Sequence, residues 1–193
     1  MDSLVSDAMA ADPAKNDQLI LVDGLDRQTG VASKWQAHTE GLLHRAFSVV
    51  LVRATPDGTQ LLLSRRSQKK YHSGGLWANS CCSHPRDGED LPNAAHRRLN
   101  EELGCGATDL HEIGAFAYRA VFPQGRCEHE YDHILVGRVE GTVQPNPDEV
   151  DAVRWVGIDE LAAELSECPD HFAAWAPMVL SMSMAHLTEA DHR

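Results

Sequence analysis

The residues best suited to chemistry lie in two short stretches whose members alternate. In Glu128-His129-Glu130, positions two apart on an extended chain point to one face, so the two carboxylates project together and His129 points away. Adjacent carboxylates repel, and burying both demands a cation or a shared proton. The plain alternative is an exposed acidic start to a strand. The same spacing recurs in Cys82-Ser83-His84, inside Asn79 to Pro85 (NSCCSHP), with Cys82 and His84 sharing a face and Cys81 pointing away. Read alone, Cys82 is equally a small buried apolar residue. His38 and His44, in KWQAHTEGLLHRAFS, complete the set. Three imidazoles and two carboxylates make a nitrogen and oxygen site for zinc, manganese or magnesium, and ligand softness does not choose among them.

A helix carries the second group. Residues 97–105 read RRLNEELGC, close to the R-E-U-x-E-E-x-G-U core of a Nudix box. Glu89 stands eight before Arg97, where that box has its upstream glutamate, and Ser83 stands where it has a glycine. Helical i,i+4 spacing puts Arg98 and Glu102 on one face, with Arg97 and Glu101 beside them. Such a carboxylate can hold the magnesium of a diphosphate while the guanidinium forks onto its oxygens. Ordinary surface ion pairs are the alternative. Arg65, Arg66, Lys69 and Lys70 fall within six positions, which suits a small anionic ligand or, more simply, a solvated charged turn.

These residues need a scaffold, and the sequence outlines one. Leu19 to Val22 reads as the first arm of a hairpin. Ala46 to Arg53 (AFSVVLVR) is a β-branched strand that turns at Pro56-Asp57-Gly58 into Gln60 to Ser64. Asp90 to Leu103 reads as a helix with Pro92 in its first turn and Gly104 as its stop. Ile113 to Val121, Tyr131 to Val139 and Ala152 to Val156 are further strands, and Ile158 to Leu165 and Pro177 to Leu187 further helices. The pattern predicts an α/β (α+β) fold, a mixed sheet sandwiched by helices in one domain over residues 18–188. Residues 1–17, small, polar and acidic, read as a disordered arm.

Composition bounds the rest. The chain has 193 residues, 42% of them hydrophobic, which suits one domain with a real core. A net charge of −12 argues against nucleic acid or a membrane surface as partner. No apolar run nears the roughly 20 residues a membrane span needs. An acidic start without an apolar block is neither a signal nor a transit peptide, so a cytoplasmic location is expected. Five cysteines without a C-x-x-C pair point to reduced thiols rather than a disulfide framework.

The stretches KYHSGGLWANSCCSHP, AAHRRLNEELG, YRAVFPQGRCEHE and FAAW, in this order, resemble type I isopentenyl-diphosphate isomerase, a Nudix-like family, from about Leu19 to Leu187. The nearest likeness is to its bacterial branch, where the isomerase often serves carotenoid and other isoprenoid synthesis. The resemblance implies an enzyme that interconverts isopentenyl and dimethylallyl diphosphate, working as a monomer or weak homodimer. It places His38, His44, His84, Glu128 and Glu130 on a site for one divalent metal. It makes Cys82 and Glu130 catalytic, with Tyr118 beside the glutamate. Lys34, Arg66, Lys70 and Arg98 fall on the diphosphate-binding cations, and Trp175 on the aromatic facing the isoprenoid carbons. Glu102, with Cys82, falls on the site of a magnesium bound with the diphosphate.

This sequence departs from the family pattern in four places. Ser83 replaces a glycine, Arg98 replaces the second residue of the Nudix R-E-U, the His38-to-His44 interval is one residue shorter than in some members, and Ala173-Ala174 precedes Trp175 where many have proline. A hydrolase of nucleoside or prenyl diphosphates is the rival reading. It would share the helix and the magnesium but would not need Cys82, Tyr118 or Trp175. A silent, metal-stabilised binding module is the second rival.

Overall fold

Strand β3 (His44–Thr55) organises the molecule. Its alternate residues are apolar on both sides, as a strand covered on two faces requires. Phe47, Val49 and Leu51 enter one core with Leu62 and Leu135, while Val50 and Val52 enter another with Leu61, Leu63, Ile134 and Val156. The computed structural model describes residues 17–70 and 72–191. All but Asp17 of the arm expected over residues 1–17 lies outside them.

In chain order the strands are β1 (Gln18–Val22), β2 (Gln28–Ser33), β3, β4 (Gly58–Arg66), β5 (Trp77–Ala78), β6 (Cys81–Ser83), β7 (Gly106–Val121), β8 (Cys127–Glu140) and β9 (Val150–Gly157). The helices are α1 (Lys34–Glu40), α2 (Leu91–Leu103), α3 (Ile158–Glu167) and α4 (Ala176–Asp191). The described strands form one mixed sheet, antiparallel except where β3 runs parallel to β8. Helix α2 lays Ala94, Ala95, Leu99 and Leu103 on one face. Helices α3 and α4 lay Leu161, Val179 and Leu180 on the other. Each fully buried leucine contributes roughly 1.5–3 kcal/mol by leaving water.

The expected α/β sandwich is what forms, with several boundaries moved. The Pro56-Asp57 turn joins β3 to β4 as expected, pairing Thr55 with Gly58. Helix α2 starts after Asp90, whose carboxylate accepts from the Asn93 amide at 2.8 Å, and stops at left-handed Gly104. Strand β8 begins at Cys127, so Glu128-His129-Glu130 lies within a strand rather than before one. Strand β7 begins at Gly106, well before Ile113, and absorbs the polar Thr108 to Glu112 stretch through two register shifts. Helix α1 and strand β5 were not anticipated, β2 is the second arm that the expected hairpin left unplaced, and β6 carries the extended spacing read at Cys82-Ser83-His84. Helix α1 and β5 are too short to show a period. Among the described residues no helix is long and apolar enough to cross a membrane.

Candidate active site

Strand register assembles the first half of the site. His44 in β3 is the register partner of Glu130 in β8, and Glu130 is in turn opposite Tyr118 in β7. Helix α1 supplies His38. Ser33 caps it, accepting from the Gln36 amide at 3.2 Å, and Gly41 (φ 66) ends it in the left-handed conformation that glycine adopts without strain. That reversal returns the chain to His44 with the His38 and His44 ring centroids 5.0 Å apart. The seven-residue helix and the tight turn thus bring both histidines into one cluster despite their short interval. His84, just after β6, closes it 5.0 Å from His44 and 5.8 Å from His38.

Four donor atoms, from His38, His44, His84 and Glu130, lie within 4.8 Å of one another. His84 Nε2 is 3.0 Å from Glu130 Oε1. His44 donates its Nδ1–H to the Leu42 carbonyl at 2.8 Å, because a carbonyl can only accept. Its fully buried Nε2 has no hydrogen-bond partner and stands 3.5 Å from Glu130 Oε1. A ring fixed on one nitrogen and open on the other is how proteins orient imidazole for a metal. Burial holds the His38 and His84 imidazoles below their ordinary range, for His38 well below it, so both are neutral and ligand-ready. The residues fit a divalent metal ion. Glu128 stands outside this foursome, with Oε1 2.8 Å from His72 Nε2 and Oε2 3.0 Å from the Tyr118 hydroxyl.

The alternation read from the sequence holds. Glu128 and Glu130 are buried on one face, while His129 meets the Gly41 carbonyl. A third carboxylate, Asp132, continues the row and is 1% exposed. The Tyr118 hydroxyl donates to Glu130 Oε2 at 2.6 Å. Burial alone would raise the Glu130 carboxyl, but the facing His44 and His84 rings outweigh it and hold it well below the usual range. Asp132 goes the other way. Burial, reinforced by Glu130, pushes it well above the carboxylate range, so this row holds an ionised and a neutral acid two residues apart.

Cys82 and His84 share a side of the sheet, and Cys81 enters the α2 core instead. The Cys82 thiol donates to Asn79 Oδ1 at 3.0 Å and accepts from Trp175 Nε1 at 2.9 Å. The Asn79 amide is oriented without ambiguity, since its Nδ2 donates to the Val49 and Cys81 carbonyls at 3.1 and 3.0 Å. Its Oδ1 also accepts from Trp175 Nε1 at 3.2 Å. Burial pushes the Cys82 thiol far up, so it is a neutral acid. Ser48, the register partner of Cys82, lies 3.5 Å from its sulfur and donates to Asp132 Oδ2 at 2.8 Å. Contacts therefore run from the thiol to the carboxylate row.

Trp175 is 3% exposed and sits below the guanidinium of Arg66, 5.0 Å from its ring centroid. Ala173, the first of the two alanines before Trp175, anchors this segment through its amide to the Trp77 carbonyl at 2.9 Å.

The cations gather around α2. Arg98 reaches Glu101 Oε2 at 2.6 Å, pairs with Glu102, and lies 3.5 Å from Glu149. Lys70 pairs with Glu149. Burial lowers the Lys70 ammonium to about 8, with Glu102 opposing and Arg66, Lys34 and Arg98 adding to the fall. The other three expected cations thus act on Lys70, beside a buried Glu102. Glu89 is engaged differently, holding Arg97 through two contacts of 2.8 Å.

Sequence reading missed Ser48, His72, Asn79, Asp132 and Glu149. Asp132 could have been found by extending the alternation of Glu128 and Glu130 one step. Asn79 lies in NSCCSHP, but an amide has no spacing signal of its own. His72 and Glu149 sit in loops, where nothing in the local pattern marks them.

The mixed sheet lies between helices, with the arginine- and glutamate-bearing α2 against one face. The NUDIX domain family matches residues 42–176. A Deinococcus radiodurans crystal structure aligns at a TM-score of 0.64 with 19% identity, covering 86% of this chain and 98% of that one. A MutT NUDIX hydrolase from Burkholderia pseudomallei aligns at 0.57 with 18% identity, covering 72% and 97%. At such identities these likenesses speak to the fold. Curated relatives go further. The isopentenyl-diphosphate Delta-isomerase of Photobacterium profundum is 45% identical over 174 residues, 89% of this chain and 97% of its own. That of Burkholderia multivorans is 48% identical over 159 residues, covering 82% and 88%. The chain belongs to the isopentenyl-diphosphate Delta-isomerase family.

Proposed function

We propose that the protein interconverts isopentenyl diphosphate and dimethylallyl diphosphate by adding a proton at one carbon and removing one at another, through a tertiary carbocation. The observation that carries this reading is a buried neutral thiol, Cys82, whose contacts reach Asp132 through Ser48, together with a buried ionised carboxylate, Glu130, two residues before Asp132 on the same strand. An unactivated alkene needs one group that gives a proton and another that takes one. Phosphate-ester hydrolysis needs neither the thiol nor its indole partner.

In this reading His38, His44, His84 and Glu130 hold one divalent ion, zinc, manganese or magnesium, and Glu128 joins them when its carboxylate turns from His72. The ion, when bound, supplies positive charge that sets the acidity of Glu130. Tyr118 steadies the Glu130 carboxylate through its hydroxyl. Asn79 and Trp175 fix the direction of the Cys82 thiol. Lys34, Arg66, Lys70 and Arg98 bind the diphosphate, and Glu102, with Cys82 alongside, lies at the magnesium bound with it. Trp175 and its neighbours exclude water, which would otherwise capture the cation as an alcohol. The π face of Trp175 can stabilise a desolvated cation by roughly 2 kcal/mol.

The experiment is incubation with isopentenyl diphosphate and magnesium, followed by separation of products. Dimethylallyl diphosphate without released phosphate supports isomerisation. Monophosphate or inorganic phosphate as the product would replace it with hydrolysis. Loss of turnover in Cys82→Ser and Glu130→Gln, with fold and metal content kept, excludes a silent binding module.

A further inference from the structure

A second pair of imidazoles, outside the residues used above, faces across from sheet to helix. His111 on β7 and His186 on α4 point Nε2 at Nε2 across 3.4 Å, with ring centroids 5.5 Å apart. The local backbone sets this up. Strand β7 shifts register between Thr108 and His111, and Asp109 takes the left-handed conformation (φ 54). A bulge of this kind re-aims a side chain. The Asp109 carbonyl then accepts the Nδ1–H of His111 at 2.7 Å. With the proton fixed on Nδ1, the neutral ring presents its Nε2 lone pair to His186, the arrangement that orients a metal-ligating histidine.

The separation bears on two readings of the pair, a hydrogen bond and a shared ion. A well-formed N–H hydrogen bond would bring the heavy atoms to about 2.7–3.2 Å. Two imidazole nitrogens about 2.0–2.1 Å from one tetrahedral ion stand about 3.3–3.4 Å apart. The observed 3.4 Å matches the second value. We propose that His111 and His186 form a surface site for a borderline divalent cation, Zn2+ being the best match, with water completing the tetrahedron. Imidazole ligands suit such ions. With two protein ligands the site exchanges its ion readily, and when filled it ties the C-terminal helix to the bulge of β7.

The test uses full-length protein already carrying its tightly bound metal, titrated calorimetrically with Zn2+ beside His111→Ala and His186→Gln. His111 is exposed, so its replacement leaves the core untouched, and far-ultraviolet circular dichroism checks the fold of both variants. The wild type should take up one more equivalent of Zn2+ than either variant, or bind that equivalent at least about tenfold more tightly, the smallest loss expected when even an outer partner of a metal site is removed. Its thermal midpoint should rise with Zn2+ where those of the variants do not. Equal stoichiometry and affinity in all three proteins would overturn the proposal. Loss in only one variant would also overturn it, because the ion would then rest on that histidine with some other neighbour.

Discussion

Replacing Tyr118 with phenylalanine isolates one hydroxyl at the centre of the site. It carries a single proton, donated to Glu130 at 2.6 Å, with Glu128 at 3.0 Å as the weaker neighbour. The shorter distance is that of an O–H to carboxylate bond strengthened by charge. Such a bond stabilises by about 1.5–3 kcal/mol. It favours the ionised carboxylate only, so its loss raises the Glu130 pKa. At 1.36 kcal/mol per unit, the rise is about one to two units. The ascending acid limb of kcat/KM against pH should therefore move to higher pH by about one to two units in Tyr118→Phe. Steady-state rates from pH 3 to 8 with saturating magnesium would measure it, beside a check that metal content is unchanged. An acid limb that coincides with the wild type's would refute the argument that this hydroxyl sets the acidity of Glu130.

Asn79→Ala removes the amide that joins Val49, Cys81, Cys82 and Trp175. It should cost roughly 2–4 kcal/mol, since buried partners are left unsatisfied, read as a fall in the urea midpoint. Lys70 loses its charge above about pH 8 in the substrate-free protein. The KM for isopentenyl diphosphate should therefore rise about tenfold or more between pH 7 and 9.5, with one charged hydrogen bond lost, while Lys70→Arg stays flat across that range. Burial depresses the His38 and His84 imidazoles in the folded state. Unfolded, they bind protons near pH 6.5 while the folded rings do not, so the stability of metal-free protein is present above about 6.5 and lost as pH falls below it. Urea midpoints between pH 7.5 and 5 should show the fall, and His38→Gln should reduce it.

The long, strongly patterned elements were legible in the sequence because one period governs each of them. AFSVVLVR alternates between two apolar faces, and Asp90 with Gly104 marks both ends of α2. The alternations at Glu128-His129-Glu130 and Cys82-Ser83-His84 placed the side chains on the correct faces before any pairing was known. Sequence could not place the cross-strand register that sets His44, Glu130 and Tyr118 in line, since register follows from tertiary pairing. Helix α1 escaped notice because seven residues hold too little periodicity. The engagement of Glu128 by His72 was equally invisible, a loop residue meeting a strand residue through the fold alone.

The alignment of His44 with Glu130 has a consequence for how the protein comes into being. The two strands run parallel and are far apart in sequence, with β4, β6, α2 and β7 between them. Such non-local pairings form late, because the chain entropy of closing the long loop must be overcome before the contacts reward it. The ligand foursome therefore exists only in chains in which β3 and β8 have paired, and a chain without that pairing offers scattered histidines in its place. Acquisition of the ion becomes a checkpoint on completion of the sheet. Protein recovered without metal during synthesis would then report stalled assembly as much as a shortage of ions.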